Sequence, residues 1–537
     1  MKEKIVVAIL LIIILICSSV LYLIVISLPN KDKKVEPQSE FDDGISPLTT
    51  QALFFEINRI RRKGIIEHMY HAGWDVFDVS PRNGGVYPII KELPIILDGI
   101  RLGIGWDEKP NFRWEINIQN SSQSVCTFKS KIVYSTWDTD YVNQEIFTPV
   151  EEEQLKSEVT LTFFVKKKEF LSQKWIESES INLIYHFRTG QWIGDDYFND
   201  TDGYGHFDGC DFEIWFDVKQ TDYDGDGIPY WTEVHKLHTN PKIDDSKLDP
   251  DKDGIPTTWE WKWGYNHTNW DNHSYLDPDN DGLQNNEEYF MEKWLANPYY
   301  PDIFIEVDYT KKAPFKLFNK DLNGEEHIFW KESQQLLIER FNEHGITVHI
   351  DDGIMGEGGE FLPFETGSGM YQQEQGVISE YYSNHFSDER KGIFRYIVVA
   401  HGGGWCYPQD YKNWYDCMCV PSRLQFFNKQ LGCALTPRTM RIGRAVSVMH
   451  ELGHSCGFTG AYHGGVDKSV TYIEDPKDRE DYKWWDYQSV MSYDYFRQRL
   501  LDYSDGTHGE NDKDDWGNID LTFFQRPSIY IEGVCPP

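Results

Sequence analysis

His450, Glu451 and His454 stand in the order H-E-x-x-H. On a helix, residues at i and i+4 share a face, so both imidazoles can reach one ion. Glu451 beside them could take a proton from a water that the ion polarises. That division of labour is metal-assisted hydrolysis, and zinc is the ion that suits it. The element that must carry these residues is legible on either side. Thr436 before Pro437 is a helix start, a capping side chain followed by proline at the first helical position. Ile442, Ala445, Val446 and Met449 recur at helical spacing, and Gly457 can end the helix in a left-handed cap.

Downstream lies Tyr487-Gln488-Ser489-Val490-Met491-Ser492-Tyr493. It resembles the Met-turn of the metzincin metallopeptidases. The resemblance implies an apolar floor from Met491 beneath the zinc histidines and a role for Tyr493 in steadying an oxyanion. The chain departs from the family pattern H-E-x-x-H-x-x-G-x-x-H at one place, where Gly460 stands for the third histidine. A catalytic zinc takes three protein ligands, and His463, Asp467 and Glu474 are within reach of the helix end. Of these His463 is preferred. His463-Gly464-Gly465 looks like the family's third-ligand segment displaced by a short insertion, which a loop absorbs at little entropic cost.

A second constellation is an internal repeat. Asp222, Asp224 and Asp226 precede Gly227 and lead to Glu233; Asp249, Asp251 and Asp253 precede Gly254 and lead to Glu260; Asp277, Asp279 and Asp281 precede Gly282 and lead to Glu288. Alternating aspartates aim hard oxygens inward, glycine permits the sharp turn, and a glutamate at the twelfth position can close the shell. These are expected to be calcium ligands, and the ion is expected to be structural. An EF-hand carries its aliphatic residue at position eight, whereas Ile228, Ile255 and Leu283 stand at seven. The pattern is similar to the thrombospondin type-3-like calcium repeats of exported proteins.

The rest of the chain must hold these sites. With 537 residues more than one domain is expected, and a net charge of −35 argues against nucleic acid, whose phosphates need a basic face. Residues 1–30 contain an apolar run, Ile5 to Leu28, long enough to span a bilayer core of roughly 30 Å. It predicts a single N-terminal transmembrane anchor or a signal peptide, hence a cell-surface or secreted protein that touches a membrane through this segment if it is uncleaved. Residues 31–50 read as a linker. In 51–218, Gln51 to Gly73 has helical spacing through Leu53, Ile57, Ile60 and Ile65, and short alternating runs such as Trp114 to Ile118 and Ser157 to Val165 predict a β-sandwich. Residues 219–298 hold the calcium repeats.

In 299–537, Asp302 to Asp308 predicts a strand, Glu325 to His344 a helix, Ile346 to Ile350 and Phe394 to Ala400 further strands, and a long loop carries Cys406, Cys417, Cys419 and Cys433. Eight cysteines outside the apolar run suggest disulfides within domains, and Asn120, Asn199, Asn266 and Asn272 open glycosylation sequons. The fold class expected is multidomain: a β-rich, sandwich-like N-terminal domain, a calcium-repeat segment, and a C-terminal α/β domain of zincin or metzincin type. The function expected is that of a zinc-dependent endopeptidase acting on a peptide or protein substrate, with Zn2+ and Ca2+ as cofactors. The alternative is a calcium-stiffened adhesin or scaffold with an inactive peptidase domain.

Overall fold

A computed structural model describes residues 52–62, 112–119, 125–132, 140–150, 155–169, 172–187, 190–196, 204–229, 232–312, 327–364, 377–401, 404–409, 414–421, 437–470, 473, 481–524 and 527–531. The first region is all β. Strands β1 (Ala52–Arg62), β2 (Phe112–Gln119), β3 (Val125–Lys129), β4 (Asp140–Pro149) and β5 (Lys156–Glu169) are followed by β6 (Ser172–His186), β7 (Gln191–Gly194), β8 (Gly205–Asp208) and β9 (Phe212–Gln220). They form one sheet in the order β4-β1-β9-β8 and another in the order β3-β2-β5-β6-β7. Leu53, Phe55 and Ile57 from the first meet Ile116, Leu161, Phe163 and Leu183 from the second in a single core, the expected sandwich arrangement. Phe163 and Phe212 stack across it at 4.4 Å.

The helix read from Gln51 onward is corrected to strand β1. Leu53, Phe55 and Ile57 are buried by strict alternation, and a bulge between Ile57 and Arg59 then shifts the register so that Ile60 is buried too. A strand with one bulge therefore places apolar residues at 53, 57 and 60, the same offsets a helix would use.

Three aspartate loops follow, each leading into a helical turn: Glu233–Leu237 after the first, α1 (Thr257–Trp263) after the second and α2 (Asn285–Met291) after the third. Ile255, Trp259, Trp263 and Leu295 share a cluster with Tyr204 and Trp215, which ties this segment to the sandwich.

The third region is built on a mainly parallel sheet. Strand β10 (Asp302–Thr310) pairs in parallel with β11 (Thr347–Asp351), β12 (Phe361–Leu362) and β13 (Phe394–Ala400). Strand β15 (Trp414–Pro421) pairs in parallel with β13, and β14 (Trp405–Gln409) runs antiparallel to β15 at the edge. The expected cysteine loop is thus partly a hairpin. Strands β10 and β13 are buried along their whole length, as a parallel sheet covered on both faces requires.

Helices α3 (Lys331–Asn342) and α5 (Pro437–Ser455) cover one face through Leu337, Phe341, Val446 and Met449. Helix α4 (Val377–His385), with Leu283 and Met291 of the aspartate-loop segment, covers the other. A short helix, α6 (Tyr493–Arg497), closes the region. Buried Arg390 reaches Glu306 at 2.8 Å and Asp351 at 2.7 Å, so these two carboxylates inside the sheet share one guanidinium.

Two further expectations meet findings here. The single N-terminal membrane anchor is corrected: among the described residues no helix is long and apolar enough to cross a membrane, and Ile5 to Leu28 lies outside them. The longest described helix, α5 with 19 residues, carries Arg438, Arg441, Arg444 and Glu451, charges that a bilayer core rejects. Cys126, Cys210, Cys406, Cys417, Cys419 and Cys456 form no disulfide with one another, so the expected pairing does not occur among the described cysteines.

Candidate functional site

Helix α5 ends as its sequence predicts. Gly457 is left-handed at φ 92°, and the Phe458 N–H returns to the Gly453 carbonyl at 3.0 Å. That turn sets His454: its Nδ1 lies 2.7 Å from the Phe458 carbonyl. The Nδ1 of His450 lies 2.9 Å from the Val490 carbonyl. A carbonyl can only accept, so both Nδ1 atoms carry the hydrogen, and in the neutral imidazoles both Nε2 atoms present a lone pair.

Those lone pairs converge on one carboxylate oxygen. Asp467 Oδ1 lies 3.2 Å from His450 Nε2 and 3.6 Å from His454 Nε2. The oxygen is buried without a hydrogen-bond partner among the described residues, and the three ligand atoms lie within 4.8 Å of one another. Asp467 is left-handed, at φ 58°, a conformation that aspartate tolerates better than most side chains. Burial raises the Asp467 carboxyl, but the two imidazoles outweigh it and hold the group well below the usual carboxylate range. Burial lowers His454, yet the adjacent Asp467 carboxylate raises it further than burial lowers it. Two nitrogens and one oxygen facing a common point suit a zinc ion.

His463 stands elsewhere. Its ring packs on Trp484 at 4.8 Å and Tyr487 at 4.2 Å, and its Nδ1 accepts the Gly465 N–H at 3.3 Å. Asp467, rather than the preferred His463, is what the structure brings to His450 and His454. The reason is the chain's path: the Asp467 N–H bonds the Met491 carbonyl at 3.0 Å and the Tyr493 N–H bonds the Lys468 carbonyl, so the loop docks against the turn through Asp467. Glu474 lies outside the described residues.

Glu451 is buried, and its Oε2 has no partner among the described residues. Burial pushes its carboxyl up to about 7, a value at which it can both accept and return a proton near neutrality. It also accepts a bond from the backbone of Cys406, which puts the edge strand β14 beside it. Met491 is fully buried under α5: a Cβ at Gly453 would lie 2.4 Å from Met491 Sδ and 3.0 Å from the Tyr503 ring. Tyr493 stacks on His450 with ring centroids 5.4 Å apart.

The three aspartate loops share one construction. In each, the first aspartate accepts backbone N–H bonds within the loop: Asp222 from Gly225 and Gly227, Asp249 from Lys252 and Gly254, Asp277 from Asp281 and Gly282. The third accepts from the buried aliphatic residue two positions on: Asp226 from Ile228, Asp253 from Ile255, Asp281 from Leu283. Gly225, Lys252 and Asn280 are left-handed, as are Gly227, Gly254 and Gly282.

Each third aspartate also accepts an N–H from a later aspartate: Asp245 at 3.0 Å, Asp271 at 3.2 Å and Asp302 at 2.8 Å. Sequence reasoning missed these three. Their separations of 19, 18 and 21 residues are too irregular to read without the fold. Both carboxylate oxygens of Asp224, Asp251, Glu260 and Glu288, together with Glu233 Oε2 and Asp279 Oδ2, are buried without hydrogen-bond partners among the described residues. Burial, reinforced by neighbouring carboxylates, pushes Glu260 up to about 9 and Asp279 up to about 10. Unpaired buried carboxylates at this density are the donor set of a hard divalent cation, and the residues fit calcium.

No protein-family model matches the chain. No curated protein matches it. One solved structure, described by the words "CC2D1B coordinates ESRCT-III activity during the mitotic reformation of the nuclear envelope", is 6% identical over 33% of this chain, with a TM-score of 0.17. The match covers 57% of that other chain, little more than half its length, and it carries no argument about fold or function.

Proposed function

We propose that this protein is a zinc-dependent peptidase resembling the metzincins, with its sheet region braced by three calcium loops. The observation that carries the reading is the convergence of the Nε2 atoms of His450 and His454 and Asp467 Oδ1 on one point, with Glu451, whose Oε2 is buried without a partner among the described residues, beside it. His450, His454 and Asp467 would hold the zinc, which when bound supplies the Lewis acidity that polarises a scissile carbonyl and acidifies a water. Glu451 takes a proton from that water and returns it to the leaving amine, a task suited to a carboxyl near neutrality. Its burial keeps the proton from exchanging with bulk solvent during the transfer. Tyr493, which stacks on His450, would donate to the developing oxyanion.

Among the described residues strand β14 is the last of the sheet, and it lies beside Glu451, so an extended peptide could add to its outer edge and present a carbonyl to the site. The reading of an inactive scaffold predicts instead that zinc or cleavage is absent. Glu451→Ala in the full chain should leave zinc content at the wild-type level and remove chelator-sensitive cleavage of a peptide library. Cleavage that persists in this variant would place the base elsewhere and defeat the mechanism.

A further inference from the structure

We infer that the second aspartate loop is a mixed nitrogen–oxygen site that takes a borderline transition-metal cation of the zinc or nickel class, with His273 as a ligand beside Asp253 and Glu260. The inference rests on the reading of these loops as cation sites and departs from it in the chemistry of one of them. His273 follows Asp271 by two positions; the corresponding residues after Asp245 and Asp302 are Lys247 and Phe304, so no imidazole stands at this place in the other two loops.

His273, Asp253 and Glu260 are each 0% exposed. Their ligand atoms lie within 4.8 Å of one another, which one ion can bridge. The imidazole is held edge-on to Trp259 at 6.0 Å and Tyr265 at 5.0 Å, so it cannot swing away. The Asn285 amide reaches its Nδ1 at 2.8 Å. As placed, the amide nitrogen faces the ring and Asn285 Oδ1 is buried without a hydrogen-bond partner among the described residues. Turning the amide over brings the oxygen to the ring, where it accepts Nδ1–H, and Nε2 then keeps a lone pair.

The plainer reading is a core histidine whose Nε2–H bonds Asp253. Nε2 does lie 3.2 Å from Asp253 Oδ2, yet it meets no hydrogen-bond geometry there and has no other partner among the described residues. Both oxygens of Glu260 are equally unpartnered. His273 Nε2 and both oxygens of Glu260, buried without hydrogen-bond partners among the described residues and gathered beside the Asp253 carboxylate, call for a cation. Calcium takes oxygen ligands, whereas imidazole suits zinc and the neighbouring transition metals, so His273 changes the preference of this loop. The same contacts bear on the sequon Asn272-His273-Ser274: Ser274 is buried and accepts the Asn286 amide at 3.1 Å.

The test uses the full chain labelled with 15N, its His450 and His454 site filled with zinc, and 113Cd2+ as the probe of the loops. One loop-bound cadmium resonance is expected to show coupling to a single imidazole nitrogen, and His273→Gln should remove that coupling while the other resonances persist. Should that variant fail to fold, Glu260→Gln reads the same site, and the coupled resonance must be the one it loses. Loop-bound cadmium with no nitrogen coupling, or a coupled resonance that survives Glu260→Gln, overturns the inference while the calcium reading stands. Absence of any cadmium in the loops would defeat both.

Discussion

An unprotonated imidazole nitrogen facing a carboxylate oxygen is a repulsive contact unless a proton or a cation lies between them, and Asp467 faces two such nitrogens. Removing it should therefore act on the metal more than on the fold. Asp467→Ala is expected to lower zinc affinity at least about 100-fold, more than the loss usual for an outer-shell partner. His463→Ala should keep zinc bound and disturb only the packing on Trp484 and Tyr487. Zinc retained in the first variant and lost in the second would restore His463 as ligand.

A second histidine gives a pH signature away from the metal sites. Burial, aided by nearby cations, pushes His327 down to about 4, against an ordinary 6.5. The unfolded chain therefore takes up a proton near pH 6.5 that the folded chain refuses. The stability due to the neutral ring is full above that pH and declines as pH falls toward 4. An NMR titration of the His327 ring should find its midpoint below 5; a midpoint above 6 would mean that the ring is hydrated.

Helix α5 works as an element because one face is buried without gaps while the other carries the site. Gly453 is where the turn bearing Met491 comes closest, and its lack of a side chain leaves room for the thioether and for Tyr503. The same turn holds His450 through the Val490 carbonyl and Asp467 through the Met491 carbonyl. Gly453→Ala gains about 1 kcal/mol of helix propensity. Against this it forces an overpacking cost of about 1–3 kcal/mol. The expected outcome is a lower melting temperature together with weaker zinc binding, because the turn must shift. A melting temperature unchanged or raised, with zinc affinity intact, would show that the turn is not in close contact with the helix.

At the scale of the whole molecule, the aspartate loops are joined to both sheet systems. Leu283 and Met291 pack under the parallel sheet, Trp259 and Trp263 meet Tyr204 and Trp215, and Asp302 is at once the partner of Asp281 and the first residue of β10. Without cations the buried carboxylates repel one another. Each site saturated at 100 times its dissociation constant adds about 2.7 kcal/mol to stability. Calcium removal should therefore lower the melting temperature of the full chain and open residues 222–288 to added protease. A melting curve indifferent to calcium and chelator would refute structural calcium.

The grouping of His450, Glu451 and His454 on one helix, and of the aspartates in each loop, was legible in the sequence, because a helical turn and a tight loop place neighbouring residues by local geometry alone. Strands β10 and β13 and the helix from Pro437 to Ser455 were legible for the same reason. Strand β1 was not: a bulge gave an extended chain the offsets of a helix, and its two partner strands, β4 and β9, lie far along the chain. Asp245, Asp271 and Asp302 were hidden because they join their loops through tertiary folding at uneven separations. The choice of Asp467 over His463 belongs to the same class. Both are side chains of one loop beyond the helix, and spacing cannot tell which of them turns inward. Only the docking of that loop on Met491, through a backbone bond whose partner lies on a separate turn, decided it.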